Sequence, residues 1–316
     1  MKIQTPVEIP KKEIALSYKD SILCLGSCFA DEIGKRLTDC YFDTMVNPFG
    51  VLFNPMSISN ALGLMEGYGI NSYGCSFVES DVIKTPAGYC SFHHHGSFAK
   101  ESPEAFLSNA NEKLANSSDF FYRQGWVIIT LGTAYVYREK ENGIVVSNCH
   151  KLPASQFTRS LLTVEEVVNA LSQYINANPD RQWIFTVSPI RHIADGLHQN
   201  QISKSTLLLA VQQLTEKFSN AHYFPSYEIV MDELRDYRFY AEDMVHPSKQ
   251  AVDYIFEKFI DWALADSEKD TFHQSVKVRQ MMEHKIMYPD SDKAKSFIQD
   301  RERQYNSLMK EIGNIK

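Results

Sequence analysis

Cys24-Leu25-Gly26-Ser27-Cys28-Phe29-Ala30 is the stretch that decides the fold. The apolar run Ile22-Leu23-Cys24-Leu25 stops at a Gly-Ser step. A helical pattern begins at once, with Phe29, Ile33 and Leu37 spaced along one face. A buried strand that turns sharply into a helix holds a serine hydroxyl at the carboxyl end of a sheet, beside the unpaired N–H groups of the helix start. That is a suitable place for a nucleophile whose transition state carries an oxyanion. The same serine also serves as a helix N-cap, and this segment alone does not choose between the two.

Working outward, five β-rich apolar segments, at 21–25, 42–46, 126–131, 183–187 and 221–224, alternate with helical patterns. The helical stretches are 28–39, 55–65, 103–115, 164–177, 204–219 and 248–264. Such alternation is the signature of a parallel sheet with crossovers, an α/β fold. Val127-Ile128-Ile129-Thr130-Leu131 is nearly all apolar, as a central strand covered on both faces should be. Insertions are expected at 66–102 and 134–160. In the second, Tyr135-Val136-Tyr137 pairs with Ile144-Val145-Val146 across Glu141-Asn142-Gly143, a hairpin signal. Residues 1–266 thus form the expected catalytic domain. Residues 267–316, charged and rich in Met and Gln, form a helical extension, either packed back on the domain or used to assemble a homo-oligomer.

The chain has 316 residues, enough for a substantial core, with 44% hydrophobic and 22% charged residues. A net charge of −7 offers no basic footprint for nucleic acid. No apolar run reaches the ~18 residues that a membrane span needs. The start, Met1-Lys2-Ile3-Gln4-Thr5-Pro6, lacks the apolar core of a signal peptide. The six cysteines, without C-x-x-C spacing, read as reduced thiols of a cytoplasmic protein.

A second constellation, Asp243-Met244-Val245-His246-Pro247, directly precedes the last amphipathic helix of the domain. A carboxylate three residues before an imidazole can orient it to take a serine proton. Alone, a D-x-x-H arises often by chance; Ser27 gives it meaning. Together these segments resemble the GSCFA family, a branch of the SGNH/GDSL esterase and lipase superfamily. Gly26-Ser27-Cys28-Phe29-Ala30 is the family's namesake motif. The likeness extends through Asn47-Pro48-Phe49-Gly50, Ser188-Pro189-Ile190-Arg191-His192, Tyr223-Phe224-Pro225-Ser226-Tyr227-Glu228 and the Asp243–Pro247 segment, over roughly residues 1–265. It implies a flavodoxin-like three-layer α/β/α fold with a five-stranded parallel sheet, and acyl-ester chemistry without a cofactor. Ser27 would be the nucleophile, His246 the base and Asp243 the orienting carboxylate.

The superfamily's oxyanion hole takes the nucleophile's own N–H, a glycine N–H after the second strand and an asparagine side chain after the third. Ser27 and Gly50 fit the first two. The third strand is followed by Gly132-Thr133-Ala134-Tyr135, with no asparagine, so either Thr133 or Asn47 is expected to supply the side-chain donor. Arg191 and His192 follow the fourth strand, where open α/β sheets bind ligands, and are candidates for substrate contacts. The alternative is that they cap helices or pair with surface acids. His93-His94-His95 invites a metal reading, but three successive residues do not easily face one ion and no further ligand lies at metal spacing. Cys28, one residue into the helix, is expected to pack rather than react. The sequence therefore points to a serine-dependent esterase or acyltransferase acting on a small-molecule or carbohydrate ester. The rival is a non-catalytic binding or scaffold protein on the same fold, assembling through the helical tail.

Overall fold

The computed structural model describes residues 5–10, 14–67, 76–123 and 125–315. Residues 1–4 of the N-terminal stretch and 68–75 of the first insertion lie outside them. Five parallel strands form the central sheet: β1 (Ser21–Gly26), β2 (Asp43–Val46), β3 (Gly125–Leu131), β4 (Gln182–Val187) and β5 (Ala221–Tyr223), in the order β5-β4-β3-β1-β2. Helices α1 (Cys28–Asp39), α2 (Pro55–Met65), α3 (Pro103–Phe121), α4 (Val164–Ala177), α5 (Leu197–Lys217) and α6 (Lys249–Ala263) connect or follow the strands.

Side chains alternate across the sheet with the period of two that a pleated strand imposes. Leu23, Leu25, Val127, Ile129, Leu131, Trp183, Phe185 and Val187 enter one apolar cluster, with α2, α3, α4 and α5. Ile22, Cys24, Trp126, Ile128 and Ile184 enter a second, with α1 and α6. A core on each face makes the molecule a three-layer α/β/α sandwich, and explains why the central strands are apolar at nearly every position. The strand order reverses between β1 and β3, so the crevice at their carboxyl ends is the switch point where such sheets bind ligands.

Two helices outrun the sequence pattern. α3 continues to Phe121, and α5 starts at Leu197 rather than 204. The first turns of α5 are polar because they bury Asn200, Ser203 and Lys204 instead of apolar side chains. The second insertion carries the 135–146 hairpin, with Tyr137 opposite Val146, and a third antiparallel strand, Phe157–Leu161. That strand is mostly exposed and so lacks an apolar signal. Ile83–Thr85 and Gly88–Cys90 form a small hairpin in the first insertion.

Beyond α6, helices α7 (Lys269–Glu283) and α8 (Asp292–Ile315) pack back on the domain, burying Val278, Leu308 and Ile312 in the second cluster beside Ile14, Leu16 and Tyr18. Leu16 pairs with the end of α6: its N–H donates to Ala263 O (2.8 Å) and its carbonyl accepts from Ala265 N (3.0 Å). Tyr18 N donates to Glu268 Oε2 (2.6 Å). Among the described residues, no helix is long and apolar enough to cross a membrane.

The β1–α1 junction depends on Gly26. Its φ of +139° is open to glycine alone in practice, and a Cβ there would lie 2.1 Å from the Thr130 carbonyl oxygen. Gly26→Ala is expected to lower stability by at least on the order of 1–3 kcal/mol, the cost of the backbone conformation before the clash is counted. Urea unfolding checks this; an unchanged midpoint would contradict the strained turn.

Candidate active site

Ser27 follows β1 directly and is the N-cap of α1; its Oγ accepts from Phe29 N at 3.3 Å. The residue is only 1% exposed. Its N–H extends the sheet by one rung, donating to Thr130 O (3.1 Å). Across the switch point, Gly132 follows β3 and presses against the same serine. A Cβ on Gly132 would lie 3.3 Å from Ser27 Cβ and 3.4 Å from His192 Nε2. Ser27 and His192 thus both border the space that a Gly132 side chain would fill, where Phe53 O would lie nearest, at 2.9 Å.

Asp243 and His246 are brought together on the loop before α6. Asp243 Oδ1 accepts from the N–H groups of Val245 (2.9 Å) and His246 (3.0 Å), and Oδ2 binds His246 Nδ1 at 2.6 Å. These bonds, led by the His246 N–H, hold the Asp243 carboxyl down to about 2, so it is ionised at any working pH. Met244, between them, takes the left-handed conformation (φ 57°) that lets the loop close on itself. Both side chains are about half exposed. His246 acts on the site at a distance: its charge is among the influences that disfavour protonation of His192. Among the described residues, Ser27 Oγ makes no hydrogen bond to His246.

The expected oxyanion donors are largely committed elsewhere. Gly50 N donates to Asn47 O (2.7 Å), closing the Asn47–Gly50 turn, instead of pointing at Ser27. Asn47, at φ 42°, fastens the strand ends: Oδ1 accepts from Gly26 N (2.8 Å) and Nδ2 donates to Asp31 Oδ1 (2.6 Å). Thr133 Oγ1 accepts from Tyr135 N (3.1 Å) and shares a hydrogen bond with Ser203 Oγ (3.0 Å). Arg191 lies over the Tyr240 ring at 4.3 Å and the Tyr237 ring at 5.6 Å, so it braces the segment that leads into Asp243 and His246.

One face of α5 organises the other side of the crevice. Asn200 Oδ1 accepts from His192 N (3.0 Å), and Ser203 Oγ accepts from Ala134 N (2.8 Å). Lys204 Nζ donates to Gly132 O (2.6 Å) and Ser188 O (2.7 Å). Lys204 is 1% exposed and, among the described residues, forms no salt bridge; burial alone pushes its ammonium down to about 7. The loops after β3 and β4 are thereby pinned to one helix. His192 is held down to about 4, first by burial, then by the charges of Lys204 and His246, and is neutral at ordinary pH. Sequence reasoning missed Asn200, Ser203 and Lys204. A signal existed: they share the helical face of the buried Leu207, Val211 and Leu214.

A family model described as the GSCFA family matches residues 21–259, most of the chain. The chain belongs to the GSCFA family. No curated protein matches it. Among solved structures, one similar chain is an acetyl xylan esterase (Est2A) from the rumen bacterium Butyrivibrio proteoclasticus, at 12% identity and a TM-score of 0.38. That match covers 78% of this chain, which spans 64% of the esterase's length.

Two other residues that the sequence singled out in this GSCFA protein, His94 and Cys28, pack against apolar side chains. His94 is fully buried among Phe49, Phe77, Phe98 and Phe106, with Nδ1 on Ser91 Oγ (2.8 Å). Burial pushes its imidazole down to about 3. Among the described residues, no group of three or more His, Cys, Asp or Glu is placed to hold a metal ion. The Cys28 thiol packs against the second core, and burial pushes it up, away from thiolate chemistry.

Proposed function

We propose that this GSCFA protein is a serine-dependent ester hydrolase or acyltransferase of the SGNH type, acting on a small-molecule or carbohydrate ester. The observation that carries this reading is the Asp243–His246 hydrogen bond through Nδ1, which leaves Nε2 to serve Ser27. Ser27 Oγ attacks the acyl carbon while its proton passes to His246 Nε2, and the carbonyl electrons move onto oxygen. Collapse of that intermediate breaks the bond to the alcohol, which leaves with the proton from His246. Water then releases the acid, or a second alcohol takes the acyl group; either returns Ser27 to its starting state.

A fluorophosphonate probe tests the nucleophile. Labelling of the native protein that vanishes in Ser27→Ala supports the enzyme. Absence of labelling in folded protein supports the binding or scaffold reading instead. A second expectation concerns the orienting carboxylate: Asp243→Asn should lower kcat by ~10²–10⁴, because the imidazole loses both its anchor and the charge that stabilises its protonated form. Steady-state kinetics on an acetyl ester check it, and an unchanged kcat would remove Asp243 from the mechanism.

A further inference from the structure

The backbone and side-chain donors around Ser27 leave a gap that one residue fills. The Ser27 N–H is spent on Thr130 O and the Gly50 N–H on Asn47 O; those of Gly132 and Thr133 both donate to Phe53 O, at 2.9 and 2.8 Å. Asn47 and Thr133 are engaged through their side chains as well. His192 differs. Among the described residues its ring nitrogens have no hydrogen-bond partner, and Nε2 and Ser27 Cβ lie 3.4 and 3.3 Å from the one point that a Cβ on Gly132 would occupy. The ring stands edge-on to Phe53, at 5.8 Å between centroids.

We propose that the Nε2–H of neutral His192 is the side-chain donor of the oxyanion hole, and that Lys204 is the positioning residue that holds it there. The inference rests on the serine reading above. As Ser27 attacks, the acyl oxygen gains negative charge and accepts this N–H; His192 gives up no proton, and the oxygen loses the bond when the carbonyl re-forms. A neutral donor suits the site. An imidazolium would compete with His246 for the proton role, whereas a neutral His192 offers its N–H as a donor and leaves the base task to His246. The titratable groups that face His192 are Lys204, from α5, and His246, from the loop before α6. Lys204 ties Ser188, which begins the segment ending at His192, to Gly132, against which His192 sits. Asn200 fixes the His192 backbone from the same helix face.

The test uses the full chain, p-nitrophenyl acetate and a fluorophosphonate, with Ser27→Ala as reference. His192→Leu is expected to lower kcat by ~10²–10³ with little change in KM, the mark of a donor used only in the transition state. His192→Gln restores an N–H donor and should recover about tenfold of that loss. The rate of Ser27 phosphonylation, whose transition state places oxygen in the same hole, should follow the same order. In Lys204→Met, the His192 ring titration followed by NMR should move up from about 4 as the neighbouring cation is lost. Near-native kcat in His192→Leu, or a loss confined to KM, overturns the proposal while Ser27-dependent turnover keeps the serine reading intact. Turnover that survives Ser27→Ala, or a folded protein that the fluorophosphonate does not label, removes both. An unmoved His192 titration removes Lys204 from its role.

Discussion

Ser27→Ala is expected to reduce kcat on an acetyl ester by roughly 10⁴–10⁶-fold, the scale on which serine triads lose rate when the nucleophile is removed. The covalent route disappears, and only binding and polarisation of the carbonyl remain. The same substitution also deletes the cap of α1, since Oγ accepts from Phe29 N. That loss should cost about 0.5–2 kcal/mol of stability. The two effects separate in Ser27→Asn, whose side chain caps the helix but cannot form the acyl-enzyme. Stability should return and activity should not. Recovery of activity along with stability would mean that Ser27 acts through the helix start alone.

The second large effect is a pH dependence of stability set by Lys204. In the unfolded chain a lysine keeps its proton to about pH 10.4; in the native protein, burial brings Lys204 down to about 7. Between these values the unfolded chain binds a proton that the native state lacks, so this group makes stability rise with pH. Below about pH 7 both states are protonated and the full burial cost is present. The unfolding free energy of the native protein relative to Lys204→Met should therefore increase by about 2 kcal/mol from pH 7 to pH 9, just under the limit of ~1.4 kcal/mol per pH unit. The difference cancels tyrosines and cysteines that titrate in the same range. The deprotonated amine still carries two N–H groups for Gly132 O and Ser188 O, so the loops stay tied. Urea unfolding across this range tests it, and a flat difference would mean that Lys204 is not proton-linked to folding.

The sheet was legible because its strands are short, apolar and bounded by turn residues, and because Ile22 to Leu25 switch abruptly to the helical spacing of Phe29, Ile33 and Leu37. Asp243 and His246 were legible as a pair because three residues is a span that a single turn can close. The α5 contribution was not. A lysine, a serine and an asparagine near a helix start look like a solvated face, and their shared face with Leu207, Val211 and Leu214 is outweighed by that polarity unless the position of the loops after β3 and β4 is known. The commitments of Asn47 and Gly50 were hidden for a related reason. Both lie in the expected loop, but the bonds that engage them depend on the left-handed turn at Asn47 and on Gly26 across the sheet.

The pairing of Leu16 with the end of α6 bears on how the molecule is assembled during synthesis. Residues 14–18 are made well before their partners, since Tyr18 finds the Glu268 carboxylate 250 positions further along the chain. Closing so long a loop is unfavourable until many other contacts exist, and its cost grows only slowly with length, about 0.6 kcal/mol per doubling. The segment before β1 must therefore wait for about 12–50 seconds during synthesis at about 5–20 residues per second. In that interval Leu16 and Tyr18 are unsheltered apolar surface, open to chaperones. β1, which ends one residue before Ser27, begins only three residues beyond Tyr18, so the strand that carries the serine adjoins a segment that is secured late.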